Sequence, residues 1–203
     1  MQRYDRATAL VIVDLQNDFA DPEGGLAVHG GANLVPIINA EIAMARAAGA
    51  TIVFTQDWHP ASTPHFAKDG GPWPVHCVAG TWGAELHPDV DAAAAATATR
   101  VRKGAGGEDG YSGFTMRDAV TGESSPTELE RTLRDAKIER VIVCGLATDY
   151  CVKATALDAA RLGFETAVLL DAARPVEVNA GDEQRAIDEM NAAGVRSWST
   201  RMR

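Results

Sequence analysis

A cysteine lies where a predicted buried strand gives way to a predicted helix. The run Val141-Ile142-Val143 is β-branched without polar alternation, and Gly145 then interrupts it. Apolar residues recur at helical spacing after Cys151, so we expect its thiol in the first turn of a helix. The helix dipole and the free backbone N–H groups there favour the thiolate, which is the nucleophilic form. The same N–H groups could receive an oxyanion formed by attack of that thiolate. The alternative is a small buried residue that packs under the helix.

Three more charged residues stand at the ends of predicted strands. They are Asp14 after residues 9–13, Asp57 after 51–55, and Lys103 after the weaker strand 100–102. The carboxyl ends of parallel strands meet at one edge of a sheet, so these side chains are expected near Cys151. Asp14 could accept the thiol proton and pass it to a leaving group, while Lys103 could keep Asp14 ionised and help to polarise the thiol. Each residue alone could be a cap, a turn residue or a solvated cation, but together they predict a site.

A metal site is predicted from a carboxylate and several histidines that are close in sequence. Asp57-Trp58-His59 places a carboxylate and an imidazole on one side of an extended segment. His65 and His76 follow in a long loop, residues 59–88, that is rich in Pro, Gly, His and Trp. One carboxylate with two or three imidazoles suits Zn²⁺, Fe²⁺ or Mn²⁺, with positions left open for water or substrate. The alternative is a polar loop with surface histidines.

Apolar strand-like runs alternate with helical patterns along the chain. The predicted strands are 9–13, 51–55, 100–102, 140–144, 166–170 and 195–198. The predicted helices are 33–48 with Asn33 as its cap, 92–96, one that opens at Ser125-Pro126, one after Cys151, and 181–193. This order predicts an α/β fold with a doubly wound, mostly parallel sheet of about six strands and helices on both faces. We expect a single domain over residues 1–203.

Composition argues against several classes of function. The 203 residues are 46% hydrophobic and 23% charged, which is ordinary for a globular chain. A formal charge of −9 with scattered Lys and Arg argues against a nucleic-acid partner. Three cysteines without paired spacing, no apolar leader and no run of membrane-span length predict a cytoplasmic protein without a membrane partner.

Several stretches of the chain match, in order, the motifs of one family. They are 12–19 (IVDLQNDF), 57–60 (DWHP), 73–78 (WPVHCV), 103–104 (KG) with 111–114 (YSGF), and 145–152 (GLATDYCV). On these stretches the chain resembles the nicotinamidase/pyrazinamidase family, within the isochorismatase-like cysteine hydrolases. The resemblance covers nearly the whole chain and implies the isochorismatase-like fold.

The resemblance implies a role for each matching residue. The catalytic set would be Cys151 as nucleophile, Asp14 as proton carrier and Lys103 as third member. One divalent metal ion (Zn, Fe or Mn) would be bound by Asp57, His59, His76 and, as in some relatives, His65. The peptide between Leu146 and Ala147 would be cis, with the N–H groups of Ala147 and Cys151 facing the oxyanion. The aromatic positions around the substrate match Phe19, Trp73, Tyr111 and Tyr150.

The expected activity is hydrolysis of nicotinamide, and also of pyrazinamide, to the acid and ammonia through a thioester, with a place in NAD salvage. The expected partner is this small amide, and a homo-oligomer is possible. Two alternatives stay open. A metal-free relative, such as an isochorismatase or a carbamoyl-amide hydrolase, would use the same Asp–Lys–Cys set. A non-catalytic binding module would hold a planar ligand between Phe19 and Trp73.

Overall fold

The computed structural model describes residues 3–201, which form a parallel sheet between two layers of helices. The strands are β1 (Thr8–Val13), β2 (Thr51–Asp57), β3 (Thr99–Lys103), β4 (Thr115–Arg117), β5 (Ser124–Pro126), β6 (Arg140–Leu146), β7 (Glu165–Arg174) and β8 (Arg196–Trp198). The α-helices are α1 (Asn17–Ala20), α2 (Leu34–Ala47), α3 (Ala92–Thr97), α4 (Leu129–Asp135), α5 (Lys153–Arg161) and α6 (Asp182–Ala192). No helix within residues 3–201 is long and apolar enough to cross a membrane.

Six of the strands form one sheet, in the order β3-β2-β1-β6-β7-β8, and every pairing is parallel. The chain runs outward from β1 to β3, returns to the other side of β1 with β6, and runs outward again to β8. The strand order therefore reverses between β1 and β6, and the loops that leave these two strands diverge. A crevice at such a switch point is where open α/β sheets bind their ligands.

The two faces of the sheet carry separate apolar layers. Leu10 and Ile12 of β1 pack with α2 and α3 on one face. Val11 and Val13 pack with α4, α5 and α6 on the other face. Every residue of β1 is buried, since it is covered by helices on both sides. The predicted α/β class, six-stranded parallel sheet and two helical layers are confirmed.

Strand β7 is longer than the predicted strand 166–170. Its pairing with β6 is regular up to Val143 opposite Val168, then shifts, and resumes with Gly145 opposite Ala173. Asp171 lies in the irregular part, and its carboxylate accepts hydrogen bonds from the hydroxyls of Ser199 and Thr200. This polar residue interrupts the apolar run, so the strand predicted from the sequence pattern ends too early.

The predicted start of a helix at Ser125-Pro126 is wrong, although a helix follows a few residues later. Ser124–Pro126 is strand β5, which pairs antiparallel with β4 in a small ribbon outside the main sheet. Proline is tolerated at the edge of a ribbon because it has no N–H to leave unpaired. Helix α4 begins only at Leu129, whose N–H donates a hydrogen bond to the Thr127 hydroxyl oxygen. Asn33 precedes α2 as predicted, but its side chain makes no capping hydrogen bond.

Gly145 brings β6 against β1 so closely that a side chain would not fit. Its φ is +113°, and a Cβ atom would lie 2.1 Å from the Val13 carbonyl oxygen. We predict that Gly145→Ala lowers the free energy of unfolding by on the order of 3 kcal/mol or more, as strain and overlap add. Gly194→Ala is the matched control, because φ is +83° there but no atom lies within 4 Å. It should cost about 1 kcal/mol. Equal losses for the two variants in urea denaturation would contradict the prediction.

Candidate active site

The residues predicted for catalysis meet at the switch point of the sheet. Asp14 follows β1 with a φ of +48°, and Asp57 and Lys103 end β2 and β3. Cys151 lies in a π-helical turn, Thr148–Val152, between β6 and α5. Side-chain oxygens of Asp14 and Asp57 and the Cys151 sulfur all lie within 4.8 Å of one another. The edge of the sheet thus brings together the strand ends, as the sequence predicts.

A buried lysine joins the two aspartates. Lys103 Nζ lies 2.7 Å from Asp14 Oδ2 and 3.0 Å from Asp57 Oδ1, and it also donates to the Gly110 carbonyl at 2.8 Å. Burial acts to lower the pKa of Lys103, but the two carboxylates outweigh it and raise that pKa well above its ordinary value. The lysine is therefore an ammonium ion, although no part of it is exposed.

The same cluster shifts the pKa values of the two carboxylates in opposite directions. Burial raises the pKa of Asp14 to about 6, against the opposing field of Lys103. Asp14 also accepts a 2.6 Å hydrogen bond from the Thr55 hydroxyl. Burial acts to raise the pKa of Asp57 too, but Lys103, with His59 and His76, holds it well below the ordinary value. Asp14 is thus the carboxylate that can gain and lose a proton near neutral pH.

Burial of the Cys151 side chain opposes the thiolate that its position in the sequence favours. The side chain is 7% exposed, and burial raises its pKa well above the ordinary value, with Lys103 opposing and Asp14 reinforcing the shift. This burial is not visible in the local sequence pattern, which places Cys151 only between β6 and α5. The Cys151 sulfur lies within 4.8 Å of an Asp14 carboxylate oxygen, so Asp14 is placed to take the thiol proton.

The four residues predicted to bind metal also converge. His59, His65 and His76 are buried, and each offers a ring nitrogen within 4.8 Å of the others. Asp57 Oδ2 lies 3.8 Å from Nε2 of both His59 and His76. Burial lowers the pKa of His65 and of His76, which keeps these imidazoles neutral.

Within the described part of the chain, one of these histidines lacks a hydrogen-bond partner. Neither ring nitrogen of His59 has a hydrogen-bond partner among residues 3–201, although both are buried. Leaving buried polar atoms unpaired is costly, and a cation would satisfy them. Neutral imidazoles beside an ionised carboxylate fit a divalent metal ion.

A pocket opens onto both groups. Its lining includes all four predicted aromatic residues, namely Phe19, Trp73, Tyr111 and Tyr150, together with Asp57, His65, His76, Ala147 and Cys151. The indole N–H of Trp73 donates to the Tyr111 hydroxyl at 2.9 Å, and the Trp73 and Tyr150 rings meet edge to face. Phe19 contacts the His76 ring on the side of the metal residues. The peptide between Leu146 and Ala147 is cis, as the resemblance implied.

Sequence reasoning missed residues that hold this site in place. The Gln16 side-chain amide donates to the Asp57 carbonyl oxygen at 2.7 Å and accepts from the Asp57 N–H at 2.8 Å. The Asp149 carboxylate accepts the N–H groups of Val176 and Glu177, which fixes the loop after β7 beside the cavity. Gln16 could have been noticed as a polar residue two positions after Asp14, but the partner of Asp149 is distant in sequence and leaves no local signal.

The apolar part of the cavity wall was missed as well. It consists of Leu26, Val28 and Val176, which come from loops after α1 and β7. No periodic pattern marks such residues in a loop. Sequence reasoning also assigned no role to Asp109, in the loop before Tyr111, although its carboxylate lies 2.6 Å from His65.

Comparison with known proteins identifies the family. The family model of the isochorismatase domain matches residues 8–201, and the chain belongs to this family. A nicotinamidase of Escherichia coli is 41% identical over 207 residues, covering 94% of each chain. The pyrazinamidase of Pyrococcus horikoshii in complex with zinc has a TM-score of 0.82 at 39% identity, and the match covers 95% of this chain and 99% of that chain. PnC1 from L. infantum in complex with nicotinate has a TM-score of 0.85 at 36% identity, and the match covers 95% of this chain and 92% of that chain.

The pKa of Asp14 predicts an acid limb in the activity profile. Asp14 must be ionised to accept the Cys151 proton, so kcat/KM for amide hydrolysis should fall as pH drops through about 6. Asp14→Asn should lower the rate at least ~100-fold and remove this limb. Initial rates should be measured with bound metal determined at each pH, to separate proton transfer from metal loss. Full activity below that pH with metal retained, or a near-normal Asn variant, would rule out Asp14 as the proton acceptor.

The convergence of the histidines predicts a graded loss of metal. His59→Ala and His76→Ala should each strip most of the bound metal, since both rings approach the Asp57 carboxylate. His65→Ala should weaken binding less. His29, an exposed histidine outside the loop, provides the control His29→Ala, which should keep full metal content. Elemental analysis of the purified variants measures this, and equal content in all four would contradict it.

Proposed function

We propose that this protein hydrolyses nicotinamide to nicotinate and ammonia, and pyrazinamide in the same way. The observation that carries the proposal is that one aromatic-walled cavity is lined by a thiol next to an Asp–Lys pair and by a cluster of metal-binding side chains. The nicotinamidase of Escherichia coli and the nicotinate complex of the L. infantum protein support a pyridine carboxamide as substrate.

The reaction begins with proton transfer inside the buried cluster. Cys151 gives its thiol proton to Asp14, and the sulfur attacks the carboxamide carbon. Negative charge moves to the amide oxygen, and the backbone N–H groups of Ala147 and Cys151, both at the cavity wall, are proposed to stabilise it. Lys103 offsets the charge on Asp14 and Asp57 through this step.

The same carboxyl group then completes both half-reactions. Protonated Asp14 gives its proton to the amide nitrogen, the C–N bond breaks, and ammonia leaves a thioester on Cys151. A water molecule gives a proton to Asp14 while its oxygen attacks the thioester carbon. The C–S bond breaks, the sulfur takes the proton back from Asp14, and the acid is released.

The proposed metal ligands are Asp57, His59, His65 and His76. A divalent ion bound there would supply a Lewis acid that holds the ring nitrogen, directly or through water, and orients the ring. The zinc complex of the Pyrococcus horikoshii pyrazinamidase supports zinc, while Fe and Mn suit the same donors. Phe19 and Trp73 are proposed to enclose the ring.

Two other functions fit the observations less well. A metal-free carbamoyl-amide or isochorismatase-type hydrolase would not need three buried imidazoles clustered beside a carboxylate. A binding module would not need a thiol beside a buried carboxylate that is itself paired with a buried lysine. Cytoplasmic location, action as a single domain and assembly into a homo-oligomer stay predictions from the sequence.

The proposed function predicts that Cys151→Ala abolishes ammonia release from nicotinamide. The substitution removes the nucleophile and only a small buried volume, so the variant should unfold at nearly the same urea concentration as the parent. Ammonia should be assayed with nicotinamide, pyrazinamide and an N-carbamoyl amine in parallel. Preference for the N-carbamoyl substrate would favour the metal-free alternative, and substantial turnover by the folded alanine variant would refute the nucleophile.

A further inference from the structure

Asp109 reaches the metal residues from a different loop. It lies between Lys103 and Tyr111, and its Oδ1 is 2.6 Å from Nδ1 of His65. The His65 side chain is 5% exposed, whereas that of Asp109 is 33% exposed, so the contact runs from the buried cluster toward the surface. Neither the proton-transfer steps nor the proposed ligand set uses this carboxylate.

This contact determines which nitrogen of His65 faces a cation. Because Nδ1 is bonded to the carboxylate, it carries the proton, and Nε2 is left with its lone pair free. The His65 ring also stacks on that of His59, with centroids 4.7 Å apart and planes inclined by 23°. Both the tautomer and the plane of this imidazole are thus fixed before a metal arrives.

Asp109 is itself held firmly. Its backbone N–H and carbonyl both pair with Arg117 of β4 at 2.7 Å. The next residue, Gly110, accepts a hydrogen bond from Lys103 Nζ. On the other side, the Gly107 carbonyl accepts from the Thr63 hydroxyl, two residues before His65. The loop that carries Asp109 is therefore tied both to the buried lysine and to the histidine loop.

We infer that Asp109 is a positioning residue that makes His65 a metal ligand in this protein. A carboxylate that accepts the second N–H of a ligating histidine fixes its orientation and increases its basicity, and loss of such a partner costs 10–100-fold in metal affinity. This inference rests on the proposed metal site but not on the identity of the substrate. It assigns four protein ligands rather than three to the site.

Metal affinity of the whole chain tests the inference. Chelator-treated protein is titrated with Zn²⁺ against a chromophoric competitor, and with Co²⁺ while its visible absorption spectrum is recorded. Asp109→Asn keeps the size of the side chain but removes its charge, and Zn²⁺ affinity should fall about 10–100-fold. The Co²⁺ spectrum should change toward that of His65→Ala, since the same ligand is weakened.

Glu108→Gln is the matched control. Glu108 is the adjacent residue in the same loop, and its carboxylate accepts only the Gly106 N–H among the hydrogen bonds found within residues 3–201. The control removes the same charge next to the site, so unchanged affinity shows that the effect of Asp109→Asn is not a general electrostatic one. Urea denaturation of the metal-free variants verifies that both remain folded.

The double variant separates positioning from a purely structural role. If Asp109 acts through His65, Asp109→Asn should cost nothing further in a His65→Ala background. An equal loss in both backgrounds, an unchanged affinity in the single variant, or a parent protein that binds no divalent metal would each overturn the inference. A parent that binds Zn²⁺ but does not hydrolyse nicotinamide would refute the proposed function and leave this inference standing.

Discussion

The site depends on the contact of the buried Lys103 ammonium with two carboxylates. All three groups lie almost wholly out of water, where one unpaired charge would cost several kcal/mol. One ammonium cannot neutralise two carboxylates, so the cluster keeps an excess negative charge that must go elsewhere. Part of the excess is met by the histidines that Asp57 faces, and burial raises the pKa of Asp14 to about 6, so that this carboxylate readily takes up a proton.

Asp57 therefore joins the two halves of the site. One of its oxygens contacts Lys103, and the other faces His59 and His76. Gln16 bonds the backbone of Asp57 from the loop after β1, so the carboxylate is held in register with Asp14. Any change that moves the end of β2 alters the proton-transfer group and the metal residues together. Preorganisation of this kind lets fixed charges stabilise a reaction without rearranging.

The sequence predicted the sheet and the residues at its edge well, because both follow from local patterns. Buried parallel strands are apolar runs, and a charged residue directly after such a run must lie at the carboxyl edge. The errors arose where distant contacts overrule local preference. Pro126 lies in a ribbon strand because it pairs with β4, and burial, reinforced by the Asp14 carboxylate, raises the pKa of the Cys151 thiol. The bond between Asp109 and His65 crosses between two loops, and no spacing in the sequence encodes it.

The strand order of the sheet has a consequence for the assembly of the chain. Strands β1, β2 and β3 are neighbours in both sequence and space, so the first half of the sheet can pair as soon as it is synthesised. The other edge of β1, whose residues after Thr8 are all apolar, stays uncovered until β6 emerges from the ribosome much later. An open apolar edge invites pairing with another chain. The junction at which β6 covers this edge is also the junction at which Asp14 meets Cys151, so the reaction centre is complete only when the aggregation-prone edge is closed.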